Sequence, residues 1–241
     1  VFLQNIIGRE VRRFMKDDET GDALPINLVV RTKFNPNSES AWFSSVMQII
    51  NYVTMLSVIL TGAALIRERE HGTVEHLLVM PVTPLEIMLS KIWANGMVIV
   101  AVSVLSLLTV VKLILEVPIA GSLGLFIAGA IIYQFSVTSL GILFATFTAS
   151  MPQFGLLAIP LLVAMSFLSG SMTPLESMPE GLQYAMQMLT TAHFVSFAQA
   201  VLYRAADLTI VWPKLLAMIA IGTVFFALAL LRFRRSVTAV Q

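Results

Sequence analysis

The stretch IREREHGTVEHLLVMPVTPLEIMLSK, residues 66–91, decides the fold of this chain. It is a charged segment between two long apolar ones. Neither residues 41–66 nor residues 92–111 contain a charged side chain. Each apolar flank is long enough to cross a bilayer as a helix, which takes roughly 20 apolar residues. We therefore expect residues 67–91 to form a short loop at one membrane face, within reach of a soluble partner.

The chain as a whole has the composition of a helical membrane protein. Of its 241 residues 57% are hydrophobic and only 12% are charged, whereas a soluble domain carries about 25% charged residues. Residues 117–175 contain no charged residue, and their apolar runs lack the period-two alternation of a membrane barrel. The predicted fold class is therefore all-α, a polytopic α-helical membrane protein.

Five apolar segments predict transmembrane helices. They cover about residues 42–66, 92–111, 123–148, 154–172 and 211–231. Pro152 and its polar neighbours predict a tight turn between the third and fourth.

The remaining segments predict a short soluble part and an interfacial part. We expect residues 1–40 to be the end of an extracytoplasmic domain, with a strand at residues 25–34, and residues 41–241 to form the transmembrane domain. Residues 173–207 are too polar to span, and their spacing predicts short helices that lie in the outer interface or re-enter it.

The distribution of Lys and Arg predicts the orientation. The 66–91 segment and the C-terminus together hold six, and the short segments on the other side hold two, with Lys214 just inside the last span. Short cytoplasmic segments carry the excess of Lys and Arg. The loop and the C-terminus are therefore predicted to be cytoplasmic, and residues 1–40 to lie outside.

The loop itself is punctuated by helix signals. TPLE at residues 83–86 forms a capping box, with proline at the first helical position. Gly72 fits the left-handed residue that ends a helix, and Thr73 fits the cap of a short helix over residues 74–80. Two interpretations remain open: a well-capped interfacial loop, or an element that a cytosolic partner pushes.

Four segments carry a family resemblance. They are, in chain order, FNPNSESAWF (34–43), REREHGTVEHLLVMPVTPLEIMLSKI (67–92), SMPQFGLL (150–157) and SGSMTPLESMPEGLQ (169–183). They resemble the ABC-2-type permeases, the membrane halves of ATP-binding cassette exporters. Among these, the chain is most similar to bacterial drug-efflux permeases that work with a periplasmic adaptor protein.

The resemblance implies partners and a location. It implies a bacterial inner-membrane protein whose loop at 67–91 holds a coupling helix in a groove of a separate ATPase subunit, with ATP and Mg bound by that subunit. It also implies a second permease half, identical or different. The family has six spans, so we expect the first helix and most of the domain after it to be missing from this sequence. The candidate coupling residues are Glu68, Arg69, Glu70, Gly72, Thr73, Glu75 and His76.

A polar face within the first span predicts a second functional region. Gln48, Asn51, Tyr52 and Met55 recur at helical spacing and share one face. That face is either the lining of a substrate path or a seam of interhelical hydrogen bonds between two permease halves. The predicted exit gate is formed with the outer helices by Phe167, Gly170, Thr173 and Pro174.

Several kinds of chemistry are excluded or disfavoured. The sequence has no G-x-x-x-x-G-K-[ST] phosphate loop, no set of His, Asp and Glu at metal-ligand spacing and no cysteine. We therefore predict that it is not an enzyme and that it binds neither a metal nor a cofactor directly. No basic cluster indicates a nucleic-acid partner.

Transport driven by a separate ATPase is the function predicted from these features. The chain is expected to be the permease subunit of an exporter of a drug-like or lipid-like substrate. The alternative is a membrane anchor or scaffold that binds a cytosolic protein without transport. A secondary transporter or channel is disfavoured because the spans lack the central charged residues that ion-driven transporters use.

Overall fold

The computed structural model describes residues 40–71, 83–115, 121–173 and 175–238. These residues form helices, connected by turns, and contain no strand. The α-helices are α1 (Ser40–Glu70), α2 (Pro84–Ser106), α3 (Leu123–Phe147), α4 (Met151–Leu168), α5 (Glu180–Gln187), α6 (Thr190–Arg204) and α7 (Leu208–Thr238). A π-helical segment, Leu107–Ile114, continues α2, and a 3₁₀ turn, Leu175–Ser177, precedes α5. The predicted all-α class is confirmed.

Five of these helices are long and apolar enough to cross a membrane. They are α1, α2 with its π-helical continuation, α3, α4 and α7, in the order predicted. The predicted fourth span is wrong at its end, because α4 stops at Leu168 rather than near residue 172. Gly170 has φ +90, a left-handed conformation that glycine adopts readily and that ends helices.

Helix starts follow the capping chemistry of the sequence. The predicted capping box at the start of α2 is present: the Glu86 amide donates to Thr83 Oγ1 (3.3 Å), and the Thr83 amide donates to Glu86 Oε2 (2.7 Å). Ser122 caps α3 by accepting from the Leu125 amide at 3.3 Å. A tight turn separates α3 from α4 as predicted, but it lies at residues 148–150, and Pro152 falls in the first turn of α4 rather than in the connection.

Helix α3 is the centre of the bundle. It contacts α1, α2, α4, α6 and α7, and most of its middle is buried, whereas α2, α4 and α7 expose most of theirs. Packing of α1 on α3 is close, because a Cβ at Gly141 would lie 2.8 Å from the Val58 carbonyl oxygen. Small residues at such positions let membrane helices approach each other.

The short helices after α4 lie at one end of the bundle. Helix α6 is amphipathic and packs on α3, where the Phe194 and Tyr133 rings stack at 4.0 Å between centroids. Short helices are what the sequence predicts here, and their placement at a membrane interface stays a prediction. The predicted strand at 25–34 and the short helix at 74–80 fall outside the described residues.

Candidate functional site

A pocket of about 250 Å³ lies between α1 and α4. All four residues of the predicted polar face line it: Gln48, Asn51, Tyr52 and Met55. The pocket is open on one side, where Tyr52 is 57% and Met55 is 44% exposed. The sequence periodicity therefore identified one wall of a real concavity, and both interpretations of that face, path and seam, remain compatible with it.

Helix α4 forms the opposite wall of this pocket. Its contribution is mainly apolar, and Thr54 of α1, Met172 just beyond α4 and Thr191 of α6 complete the lining with it. The α4 residues are Ile159, Leu162, Val163, Met165, Ser166 and Phe167. A mostly apolar wall facing a few amide and hydroxyl groups suits an apolar or amphiphilic ligand.

Hydrogen bonds from Ser171 join Asn51 and Ser166, two residues that line the pocket. Its hydroxyl lies 3.3 Å from both amide atoms of Asn51 and donates to the Ser166 carbonyl at 2.7 Å. Ser171 is buried, so these bonds are shielded from solvent. The connection ties the middle of α1 to the segment that follows α4.

The predicted exit-gate residues lie around that segment but do not form one cluster. Phe167 lines the pocket between α1 and α4. Gly170 instead lines a second, more polar pocket of about 200 Å³, where its carbonyl accepts from Gln199 of α6 at 3.4 Å. Thr173 is exposed and lines neither pocket, and Pro174 falls outside the described residues.

Buried polar residues of α1 serve packing. Thr54 hydrogen-bonds the Tyr133 hydroxyl, and Ser57 donates to Gln134 Oε1 at 2.9 Å. Thr54, Ser57 and Gln134 are all buried. Because Thr54 also lines the pocket, polar residues of α1 serve both the pocket and the contact with α3, and their spacing alone does not separate the two roles.

The opposite end of the bundle is charged. We call Glu68, Arg69, Glu70, Lys91 and Arg232 the charged end. Glu68 forms an ion pair with Lys91 of α2. Arg69 Nη1 donates to the carbonyls of Ala145 and Thr148 at 3.0 and 3.3 Å. The Met151 amide donates to Glu70 Oε1 at 3.0 Å.

Helix α7 joins the charged end through Arg232. Arg232 Nε donates to the Thr146 carbonyl at 3.2 Å, and its guanidinium lies 4.0 Å from the centre of the Phe147 ring. Arg69 lies 5.8 Å from the centre of the Phe233 ring. In the sequence Arg232 contributes only to the Lys and Arg count that predicts orientation, although its place within the last two turns of α7 was a signal that it could reach neighbouring carbonyls.

The predicted coupling residues are therefore divided. Glu68, Arg69 and Glu70 are described, and each contacts another helix of the same chain. Gly72, Thr73, Glu75 and His76 fall outside the described residues, so their coupling role stays a prediction. Within the described ranges no group of three His, Asp or Glu side chains could hold a metal ion.

Comparison with known proteins now identifies the family. Residues 3–231 match the sequence profile described as ABC-2 family transporter protein. The chain belongs to the ABC-2 transporter family. This confirms the resemblance drawn from the loop, the tight turn and the segment after α4.

Individual relatives of this family member are named as permeases. The chain is 53% identical over 236 residues to the inner membrane transport permease YhhJ of Escherichia coli strain K12, covering 98% of this chain and 63% of the relative. It is 30% identical over 236 residues to the probable multidrug ABC transporter permease YbhR of the same strain, covering 97% and 64%. The chain thus spans less than two thirds of the length of these relatives.

Proposed function

We propose that this ABC-2 family member acts as the permease subunit of an exporter. A separate ATPase subunit binds the loop at residues 67–91 on the cytoplasmic side and hydrolyses ATP there. The substrate, an apolar or amphiphilic molecule of drug-like or lipid-like chemistry, passes through the pocket between α1 and α4. Family membership supports the ATPase partner, and the relatives named as multidrug permeases support the substrate class.

The observation that carries the proposal is the composition of the pocket. Its α4 wall is almost entirely apolar, while its α1 wall presents Gln48, Asn51 and Tyr52. Hydrogen-bonding groups on one wall and an adaptable methionine-containing surface on the other suit ligands that vary in shape. A site for an ion would instead require charged or closely converging oxygen ligands.

The open side of the pocket supports a second permease half. Tyr52 and Met55 border the pocket and remain largely exposed in the single chain. A second half, identical or different, placed against this side would enclose the path. A periplasmic adaptor protein at the outer end is a further partner that the similarity to drug-efflux permeases supports.

Filling the pocket tests the proposal. The full-length protein would be reconstituted in liposomes with its ATPase, and ATP hydrolysis measured against a panel of apolar and amphiphilic compounds. In Val163→Trp the indole would occupy the pocket from α4. We expect the half-stimulating concentration of active compounds to rise by about tenfold or more, since tenfold corresponds to about 1.4 kcal/mol.

A matched variant controls for general effects of a tryptophan on α4. Leu156 lies on the same helix, is 78% exposed and does not line the pocket, so Leu156→Trp should leave the stimulation unchanged. Equal responses of the two variants would contradict the path. If the ATPase stays bound but compounds stimulate neither ATP hydrolysis nor transport, the result would favour the scaffold alternative.

A further inference from the structure

Two neighbouring residues at the end of α1 connect that helix to the start of α4. We propose that Arg69 and Glu70 are positioning residues that pass movement of the end of α1 to α4, and so to the wall of the pocket. The inference rests on the proposed function, and it assigns these two residues of the loop at 67–91 a role in contacts inside the permease rather than in contact with the ATPase.

The bonds of the pair match the electrostatics of the two helix ends that they contact. The last carbonyls of a helix lack internal partners and carry partial negative charge, whereas the first amides carry partial positive charge. Arg69 donates to Ala145 and Thr148 at the end of α3, and Glu70 accepts from Met151 at the start of α4. Each charge therefore meets the helix end of opposite sign.

These bonds hold the turn between α3 and α4 from both sides. Residues 148–150 connect the two helices, and the pair contacts Thr148 within the turn and Ala145 and Met151 on either side of it. Glu70 is the last residue of α1. A displacement of the end of α1 consequently acts on the turn through three charge-assisted hydrogen bonds.

Further contacts along α1 extend this connection toward the pocket. Gly62 leaves room for the Phe154 ring of α4, since a Cβ there would collide with it. Asn51 then joins Ser171 beyond the end of α4. Between these two contacts lies the pocket, whose walls are α1 and α4. Movement of α1 at Glu70 is therefore expected either to shift α1 and α4 together or to change the distance between them.

A charge exchange within the pair isolates this role. Arg69→Glu combined with Glu70→Arg keeps composition and net charge but places each charge at the helix end of like sign. Glu70→Ala is a second, milder variant, because Glu70 is exposed and its removal leaves no buried cavity. Lys112→Gln is the control: Lys112 is an exposed charged residue in the π-helical continuation of α2, outside the loop at 67–91.

The measurement combines partner binding with an internal distance. The chain contains no cysteine, so paired nitroxide labels can be placed at Leu156→Cys on α4 and Met97→Cys on α2, positions that are 78% and 65% exposed. The full-length protein and its ATPase would be purified together. ATP hydrolysis and the label-to-label distance would be measured with and without ATP and vanadate.

The proposal predicts a separation of the two readouts. In the exchanged pair and in Glu70→Ala, the ATPase should remain bound and hydrolyse ATP, while the ATP-dependent distance change should fall at least fivefold relative to wild type and to Lys112→Gln. A full distance change in both variants would overturn the proposal. So would loss of the ATPase from both, because the pair would then serve docking or folding. Absence of the ATPase from the wild-type preparation would instead overturn the proposed function, and the coupling role with it.

Discussion

At the residue scale, three consecutive side chains at the end of α1 reach three different helices. Glu68 pairs with α2, Arg69 binds the end of α3 and Glu70 binds the start of α4. Successive residues of an α-helix point about 100° apart, so a helix end surrounded by neighbours can contact each with a different residue. In the sequence these three charged residues resemble a solvated helix end, whereas in the structure they join α1 to three other helices.

The close contact at Gly141 leads to a prediction about stability. Gly141→Ala would place a methyl group 2.8 Å from the Val58 carbonyl oxygen, a backbone atom that cannot rotate away. We expect a destabilisation of about 1–3 kcal/mol, the usual cost of overpacking, seen as a lower melting temperature in detergent. Gly181→Ala is the control, because nothing lies within 4 Å of a Cβ there; equal melting temperatures for both variants would contradict the close α1–α3 contact.

At the element scale, helix boundaries follow local chemistry where a cap or a left-handed residue is present. Helix α2 begins at the capping box that residues 83–86 predict. Helix α4 ends before Gly170, although the apolar sequence continues to Met172. Hydropathy measures how long a segment could remain in the membrane, whereas backbone conformation decides where the helix stops.

The cap of α2 can be tested by amide exchange. Thr83→Ala removes the hydroxyl that accepts from the Glu86 amide, a loss typically worth about 1 kcal/mol. We expect faster hydrogen exchange of the amides in the first turn of α2, by up to about fivefold for that free energy, with the middle of the helix unchanged. Thr83→Ser retains a hydroxyl and should exchange like wild type; a similar acceleration in both would show that the cap does not hold this turn.

At the scale of the whole molecule, the helix ends gather into two chemically different regions. The charged end joins the ends of α1, α3 and α7 to the starts of α2 and α4. The other end holds α5, α6 and the hydroxyl-rich segment after α4. The excess of Lys and Arg at the charged end predicts that it faces the cytoplasm.

Labelling from outside the cell tests this orientation. Ala149 lies in the turn at the charged end and Gly181 lies in α5, and both are exposed. In spheroplasts, a membrane-impermeant maleimide should label Gly181→Cys at once and Ala149→Cys only after permeabilisation. The cysteine-free chain is the blank. The reverse pattern of labelling would invert the proposed topology and place the loop on the wrong side for an ATPase.

Much of the fold could be predicted from the sequence, and less of the candidate site. Long uncharged segments have few alternatives to membrane helices, so the five spans and their order followed from composition. Helical spacing also placed Gln48, Asn51, Tyr52 and Met55 on one face of α1, as a substrate path or a seam, and the structure shows these residues lining a pocket. The distinct roles of Asn51 and Thr54 could not be predicted, because both are polar residues of one span. Asn51 bonds Ser171 and Thr54 bonds Tyr133 only because helix packing places those partners beside them.

The sequence by itself determined the class of protein, the family and the capping residues that mark its helix ends. These depend on hydropathy, capping residues and short motifs, all of which are local along the chain. The tertiary structure alone decided that α4 is the second wall of the pocket and that Arg69 and Glu70 join helix ends. Those contacts link residues some 75 to 120 positions apart, and side-chain partners at such distances are set by helix packing rather than by spacing in the sequence.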